Sequence, residues 1–254
     1  MVLFDSHAHL DDPRFQGELD AVLVRAHGAG VAHILAVGAD LEAWEKTIAI
    51  AQTREGVCAA IGCHPHDARR FTEAEAERLR MFACQPRVVA IGEIGLDYHY
   101  ESSPRADQRR ALIAQLEIAR RLDLPVILHI REAMADMLAV LRDFAGRLRG
   151  VAHCFSGDAA AAEALVALGY AISFAGNLTF PKASALRQVA QSVPASHLLI
   201  ETDCPYLAPQ PVRGQRNEPA FVRYTACELA SLRGVAVEEL ASHTTDNARK
   251  LFAV

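Results

Sequence analysis

Residues 106–130 read ADQRRALIAQLEIARRLDLPVILHI, and the change of period inside this stretch decides the fold class. Through Ala106–Arg121 one helical face carries Leu112, Gln115, Leu116 and Ala119, while Glu117 can pair with Arg121 at i,i+4 on the other. Pro125 ends that helix, because the residue before a proline is driven out of the helical region. From Val126 to Ile130 the chain is nearly continuous in apolar residues, as expected of a parallel strand buried on both faces.

The same alternation runs outward to both ends. Strands are expected at Val2–Ser6, Ile34–Val37, Cys58–Gly62, Val88–Glu93, Val126–Ile130, Val151–Phe155, Ala171–Phe174 and Leu198–Thr202. Helices are expected near Gln16–Ala26, Glu42–Arg54, Glu73–Phe82, Ala106–Arg121, Met134–Phe144, Ala159–Leu168, Lys182–Gln191 and Asn217–Ala230. Two short helical pieces follow to the C-terminus, where Ala248, Leu251 and Phe252 form an apolar face. Eight strands, each followed by a helix, predict an α/β fold: a single-domain TIM (β/α)8 barrel over residues 1–254 with additional C-terminal helix. A doubly wound open sheet competes, because periodicity does not count barrel closure. The first strand, however, is not followed by the Gly-x-Gly-x-x-Gly turn of a dinucleotide-binding fold. The stretch Pro205–Pro219 reads as a long loop after the eighth strand.

Composition narrows the function classes. Apolar residues make up 51% of the chain and charged residues 22%, and the net charge is −5, so no basic face for wrapping long nucleic acid is implied. No run of about 18 apolar residues crosses a membrane, and the N-terminus lacks the basic-then-apolar pattern of a secretory signal. The six cysteines are scattered without a Cys-x-x-Cys pair, which fits a reducing, cytoplasmic setting better than disulfides or a finger-type zinc site. Monomer is the default oligomeric state.

The chemistry is concentrated at strand ends. His7 and His9, two apart at the end of the first strand, point the same way and can hold one metal. Glu93, His129, His153 and Asp203 fall at the C-terminal ends of the fourth, fifth, sixth and eighth strands, the rim where a barrel builds its active site. Four imidazoles and two carboxylates exceed the needs of one ion, so one or two divalent metal ions (Mg, Mn or Zn) are expected. Strand order suggests a division: His7, His9 and Asp203 on one ion, His129 and His153 on the other, and Glu93 between them. Glu201, two residues before Asp203, is read as a hydrogen-bond partner behind the ligands. Alternation should turn Cys154 away from His153 and into packing. His64 and His66 reach the same rim in Gly62-Cys63-His64-Pro65-His66, with His64 the better candidate for substrate contact. His27, His33, His197 and His243 lie away from the rim, and His99 is ambiguous.

These motifs resemble the TatD family of metal-dependent deoxyribonucleases, within the wider amidohydrolase-type barrels. The likeness rests on Phe4-Asp5-Ser6-His7-Ala8-His9-Leu10, Gly62-Cys63-His64-Pro65, Gly92-Glu93-Ile94-Gly95-Leu96-Asp97-Tyr98 and His153-Cys154-Phe155-Ser156-Gly157. It continues in Glu201-Thr202-Asp203-Cys204-Pro205-Tyr206-Leu207, Arg216-Asn217-Glu218-Pro219 and Asn247-Ala248-Arg249-Lys250-Leu251-Phe252. The resemblance implies the same six ligands and a nuclease that trims single-stranded DNA or frayed ends from the 3′ terminus. Glu93 stands where many other amidohydrolase-type barrels carry a carboxylated lysine.

The expected reaction is attack of a metal-activated water on phosphorus, with Glu93 and Asp203 catalytic and Asp203 steering or accepting the proton. His64, Arg131, Arg213 and Arg216 are candidates for phosphate contact. Two other classes remain open: an esterase or amidohydrolase on the same site, for example an aminoacyl-RNA deacylase, and a non-catalytic nucleic-acid-binding protein.

Overall fold

Eight parallel strands pair strictly in chain order, and the eighth returns to the first. The structure is a computed structural model that describes every residue from Met1 to Val254. The strands are β1 (Leu3–Ala8), β2 (Val31–Gly38), β3 (Val57–Ile61), β4 (Val88–Asp97), β5 (Val126–Arg131), β6 (Gly150–Ala152), β7 (Tyr170–Phe174) and β8 (Leu198–Ile200). Around them lie α1 (Leu19–Gly28), α2 (Trp44–Thr53), α3 (Glu73–Ala83), α4 (Arg105–Leu122), α5 (Met134–Asp143), α6 (Ala159–Ala167), α7 (Ser184–Ser192) and α8 (Val222–Arg233). A ninth helix, α9 (Val237–Phe252), ends the chain. The barrel is therefore the expected one, and the open sheet is excluded.

Closure between β8 and β1 uses few ladder bonds. Ala8 bridges Cys204, the His9 amide donates to the Cys204 carbonyl at 2.8 Å, and the Asp203 amide donates to the His7 carbonyl at 2.9 Å. Below them the Asp5 carboxyl accepts from the Thr202 amide at 2.8 Å and its hydroxyl at 2.6 Å, so a side chain fills the place of a ladder acceptor. Burial pushes the Asp5 carboxyl up to about 8, against the pull of the Thr202 bonds.

Two apolar layers hold the barrel. Phe4, Leu35, Val37, Cys58, Ala60 and Ile127 are among the residues of a cluster inside it, while neighbours such as Leu3, Ile34 and Leu128 pack outward on the helices. Ala248 and Phe252 of α9 belong to the interior cluster, and the Phe252 ring lies 6.0 Å from that of Phe4. Since Phe4 is near the start of β1, α9 plugs the bottom of the barrel, opposite the rim of candidate ligands. The C-terminal pieces thus form one 16-residue helix rather than two short ones, anchored by Asn247, whose side-chain amide donates to the carbonyls of Ala195 and Leu198.

Other departures have local causes. α8 begins at Val222 instead of Asn217 because Pro219 holds the preceding Glu218 extended. Glu117 pairs with Arg120 at i,i+3, with nitrogen–oxygen distances of 2.9 and 2.8 Å, and not with Arg121. The polar member of the α4 apolar face has a defined role. Gln115 accepts from the Cys63 amide at 2.7 Å and donates to its carbonyl at 3.2 Å, which ties α4 to the loop after β3. One turn pair earlier, Gln108 accepts from the Asp97 amide at 2.8 Å and donates to its carbonyl at 2.9 Å. Gln115→Leu leaves both Cys63 groups buried without these partners, and a loss of about 1–3 kcal/mol in urea unfolding is expected. An unchanged unfolding midpoint would show that water replaces the amide.

Candidate active site

The mouth of the barrel holds a cavity of about 770 Å³, with His9, His64, Glu93, His129, His153 and Asp203 among its lining residues. Two irregular strands aim the ligands. Phe4 and Ala90 belong to the interior cluster, so strict alternation would turn His7 and Glu93 outward. Between Asp5 and Ala8, three residue steps of β1 match two of β2, and between Ile91 and Ile94 three steps of β4 match two of β5. The extra residue reverses the facing of the side chains after it. β5 and β6 need no such correction, because Ile127 and His129, like Val151 and His153, share parity.

Glu93 is the centre of the cluster. Its Oε2 lies 3.5 Å from His7 Nε2 and 3.8 Å from His9 Nε2, while Asp203 Oδ1 is 3.9 and 3.5 Å from the same two nitrogens. Its Oε1 lies 2.7 Å from His129 Nδ1, 2.8 Å from His153 Nε2 and 3.4 Å from His64 Nε2. The two carboxylate oxygens thus face two separate sets of donors.

Hydrogen bonds behind the imidazoles fix which nitrogen faces the centre. His9 donates Nδ1–H to the Val37 carbonyl at 3.0 Å, so its Nε2 is the nitrogen turned toward His7 Nε2, 3.2 Å away. His153 turns Nδ1 to Glu201 Oε1 at 3.3 Å, and the Cys154 amide donates to the same oxygen at 2.8 Å. His129 turns Nε2 to Asp97 Oδ2 at 3.1 Å. His7 Nδ1 has no partner. His64 differs from this set: its Nδ1 accepts from the His66 amide at 3.2 Å, so the neutral ring carries its proton on Nε2 and is a donor toward Glu93.

Burial and neighbouring charge set the protonation. For Glu93 burial opposes ionisation, but His153, His64 and His129 outweigh it and hold the carboxyl well below the usual range. His153 is likewise held well above the ordinary histidine value by Glu93 and Glu201 in spite of burial. Burial pushes His64 down to about 4, against the attraction of Glu93, so it is neutral at pH 7. Asp203 stays ionised because hydrogen bonding to His9 and the charge of His7 and His153 overcome its burial.

The residues fit divalent cations. Ligands about 2.1 Å from a tetrahedral ion are separated by roughly 3.4 Å, close to the spacing around Glu93 Oε2. The imidazole nitrogens of His7 and His9 that turn toward each other at 3.2 Å stand at a spacing that one cation between them would take up. The lining also includes Asp11, Asp12, Asp40 and Asp97 beside Glu93 and Asp203, with Arg131 its single arginine or lysine, so an anionic substrate meets unfavourable charge until cations enter.

Sequence likeness decides the family. The family model for TatD related DNase matches residues 4–253. The chain belongs to the TatD family. YcfH of Escherichia coli, described as an uncharacterized metal-dependent hydrolase, is 43% identical across 100% of this chain and 97% of its own length. TatD of Pantoea vagans, named a 3'-5' ssDNA/RNA exonuclease, is 37% identical over 98% of this chain and 99% of its own. The crystal structure of YJJV, a TatD homologue from Escherichia coli, superposes with a TM-score of 0.94 at 35% identity, covering 99% of this chain and 98% of that one. As a TatD-family protein the chain is a metal-dependent hydrolase, and none of its helices is long and apolar enough to cross a membrane.

The six expected ligands converge, and Glu201 stands behind His153. His64 and Arg131 line the TatD-family cavity, but Arg213 and Arg216 do not. Arg213 stacks on Phe180 at 4.1 Å, and Arg216 bonds Glu18 and the Arg14 carbonyl while covering Phe15. The intervening loop packs sideways on the first turn of the chain, which composition does not reveal. Cys154 also departs from expectation. β6 ends at Ala152, alternation stops there, and the side chain lines the cavity.

Asp97 is the residue that pattern reading passed over. It is fully buried and accepts from His129 at 3.1 Å, His66 at 3.0 Å and the amides of His99 and Tyr100 at 3.0 and 2.9 Å. Its place four residues after Glu93 was the available signal. The extended separation hid that both return to one histidine.

Proposed function

We propose that this chain hydrolyses phosphodiester bonds in DNA, as a nuclease that removes nucleotides from the 3′ end of single strands or frayed ends. The observation that carries the reading is the split of donors by Glu93, whose two oxygens face two adjacent donor sets in one open cavity. His7, His9 and Asp203 would hold one divalent ion, His129 and His153 the other, with Glu93 shared. The activity named for the Pantoea vagans relative supports the choice of substrate and polarity.

When bound, such ions supply the positive charge that neutralises a phosphodiester and lowers the pKa of water. The chain's own groups act around that charge. His64 donates Nε2–H to an anionic oxygen without adding charge. Arg131 offers the guanidinium within the cavity for a second phosphate oxygen. Asp203, ionised at the rim, orients the attacking water and accepts its proton. Glu201 and Asp97 hold the rings of His153 and His129, so no ligand must rotate when substrate arrives.

The decisive experiment is cleavage of a 5′-labelled single-stranded oligonucleotide with magnesium, manganese, zinc or chelator. A ladder shortening from the 3′ end, abolished by chelator and restored by metal, is expected. Folded, metal-loaded protein that turns over esters but leaves the oligonucleotide intact would move the reading to ester or amide hydrolysis.

A further inference from the structure

Two exposed aromatic rings flank the candidate cation sites from opposite sides. Tyr206, in the loop after β8, is 50% exposed, and Tyr100, in the loop after β4, is 59% exposed. Both line the cavity. The other large apolar side chains that are exposed rather than half-buried are aliphatic or methionine, and none lines the cavity. In an eight-stranded barrel paired in chain order, β4 and β8 stand half a turn apart, so the ligand cluster lies between the two rings.

Each ring is braced in the same way. The Arg14 guanidinium lies 4.3 Å from the Tyr206 centroid and is itself held by two hydrogen bonds to Asp12, at 2.9 and 2.8 Å. The Arg131 guanidinium lies 4.6 Å from the Tyr100 centroid. Rings inside the rim meet them edge-on: His9 stands 6.0 Å from Tyr206 and His66 5.5 Å from Tyr100. A cation over a ring and an edge contact restrict its rotation, yet half or more of each tyrosine side chain remains in water. Exposed apolar faces fixed in orientation beside an anion-binding centre match the requirements of nucleobase stacking.

We propose that Tyr206 and Tyr100 are stacking platforms for the two nucleobases on either side of the scissile phosphate, with Arg14 and Arg131 as their cationic backing. The ligand is a single strand, because bases held by two rings on opposite sides of the mouth are unstacked and unpaired. This rests on the nuclease reading above and deepens it. Stacking is indifferent to base identity, so the platforms select for single-strandedness and not for sequence.

The test uses oligonucleotides with 2-aminopurine at the last or the penultimate 3′ position, mixed with metal-loaded protein and followed before turnover. Wild type should quench both probes. Tyr206→Ala and Tyr100→Ala should each lose the quench at one position and raise KM about 5- to 150-fold with kcat within threefold, while Tyr206→Phe and Tyr100→Phe behave as wild type. Wild-type quench and KM in the alanine variants, on a substrate that wild type cleaves, would overturn the stacking role alone. Equal losses in the phenylalanine variants would also overturn it, since the hydroxyl and not the ring face would then be required. If wild-type protein neither quenches nor cleaves any oligonucleotide, the nuclease reading itself falls and the platforms fall with it.

Discussion

Glu93→Gln is expected to lower kcat by about 10³-fold or more, with loss of bound metal and a lower unfolding midpoint. The substitution keeps the shape of the side chain but removes the charge on which both donor sets depend. Glu93 lies within 4 Å of His7, His9, His64, His129 and His153, so no other single side chain serves both halves of the cluster. The histidines outweigh burial and hold the wild-type carboxyl well below the usual range, so its charge stabilises the fold at pH 7, and the neutral amide gives up that contribution. Glu201→Gln is the graded comparison. It touches His153 and not the centre, and a loss of about 10–100-fold in activity or metal affinity is expected. Metal analysis and steady-state kinetics on both variants separate the roles. Glu93→Gln with wild-type kcat and metal content would remove the shared-carboxylate account.

Gly95→Ala should be the most damaging of the small substitutions. A methyl group there would sit 1.9 Å from the His129 carbonyl oxygen, a backbone atom of the adjacent strand. The β4–β5 pair must separate to admit it, and the same movement shifts His129 relative to Glu93. A destabilisation of at least about 3 kcal/mol is expected, lowering Tm by roughly 6–12 °C for a chain of this length. Activity should fall further than the stability change explains. Gly28→Ala is the control, because a methyl group at the end of α1 meets nothing within 4 Å and alanine favours the helix. Equal Tm values for the two variants would show that β4 tolerates the displacement.

Much of the molecule was legible from residue order. The switch from helical to strand period around Pro125, repeated along the chain, specifies eight βα units, whereas closure into a barrel rather than an open sheet is decided by the return of the eighth strand to the first. The six converging ligands were legible for a related reason: strand ends on one rim of a barrel are brought together by topology, whatever the intervening loops do. Local pattern has no means of registering one inserted residue in β1 and one in β4, however, because that depends on how each strand pairs with its neighbour. These insertions turn His7 and Glu93 toward the centre against the alternation set by Phe4 and Ala90. Long-range hydrogen bonds decided the rest. Asp97 became a partner of His129 and His66, His64 became a donor through the amide of His66, and Arg216 was drawn away to Glu18. The sequence by itself determined which groups reach the rim, since that follows from strand order. Only the tertiary structure decided where each one points, since a side chain's direction is set by register and by the partner that satisfies its polar atoms.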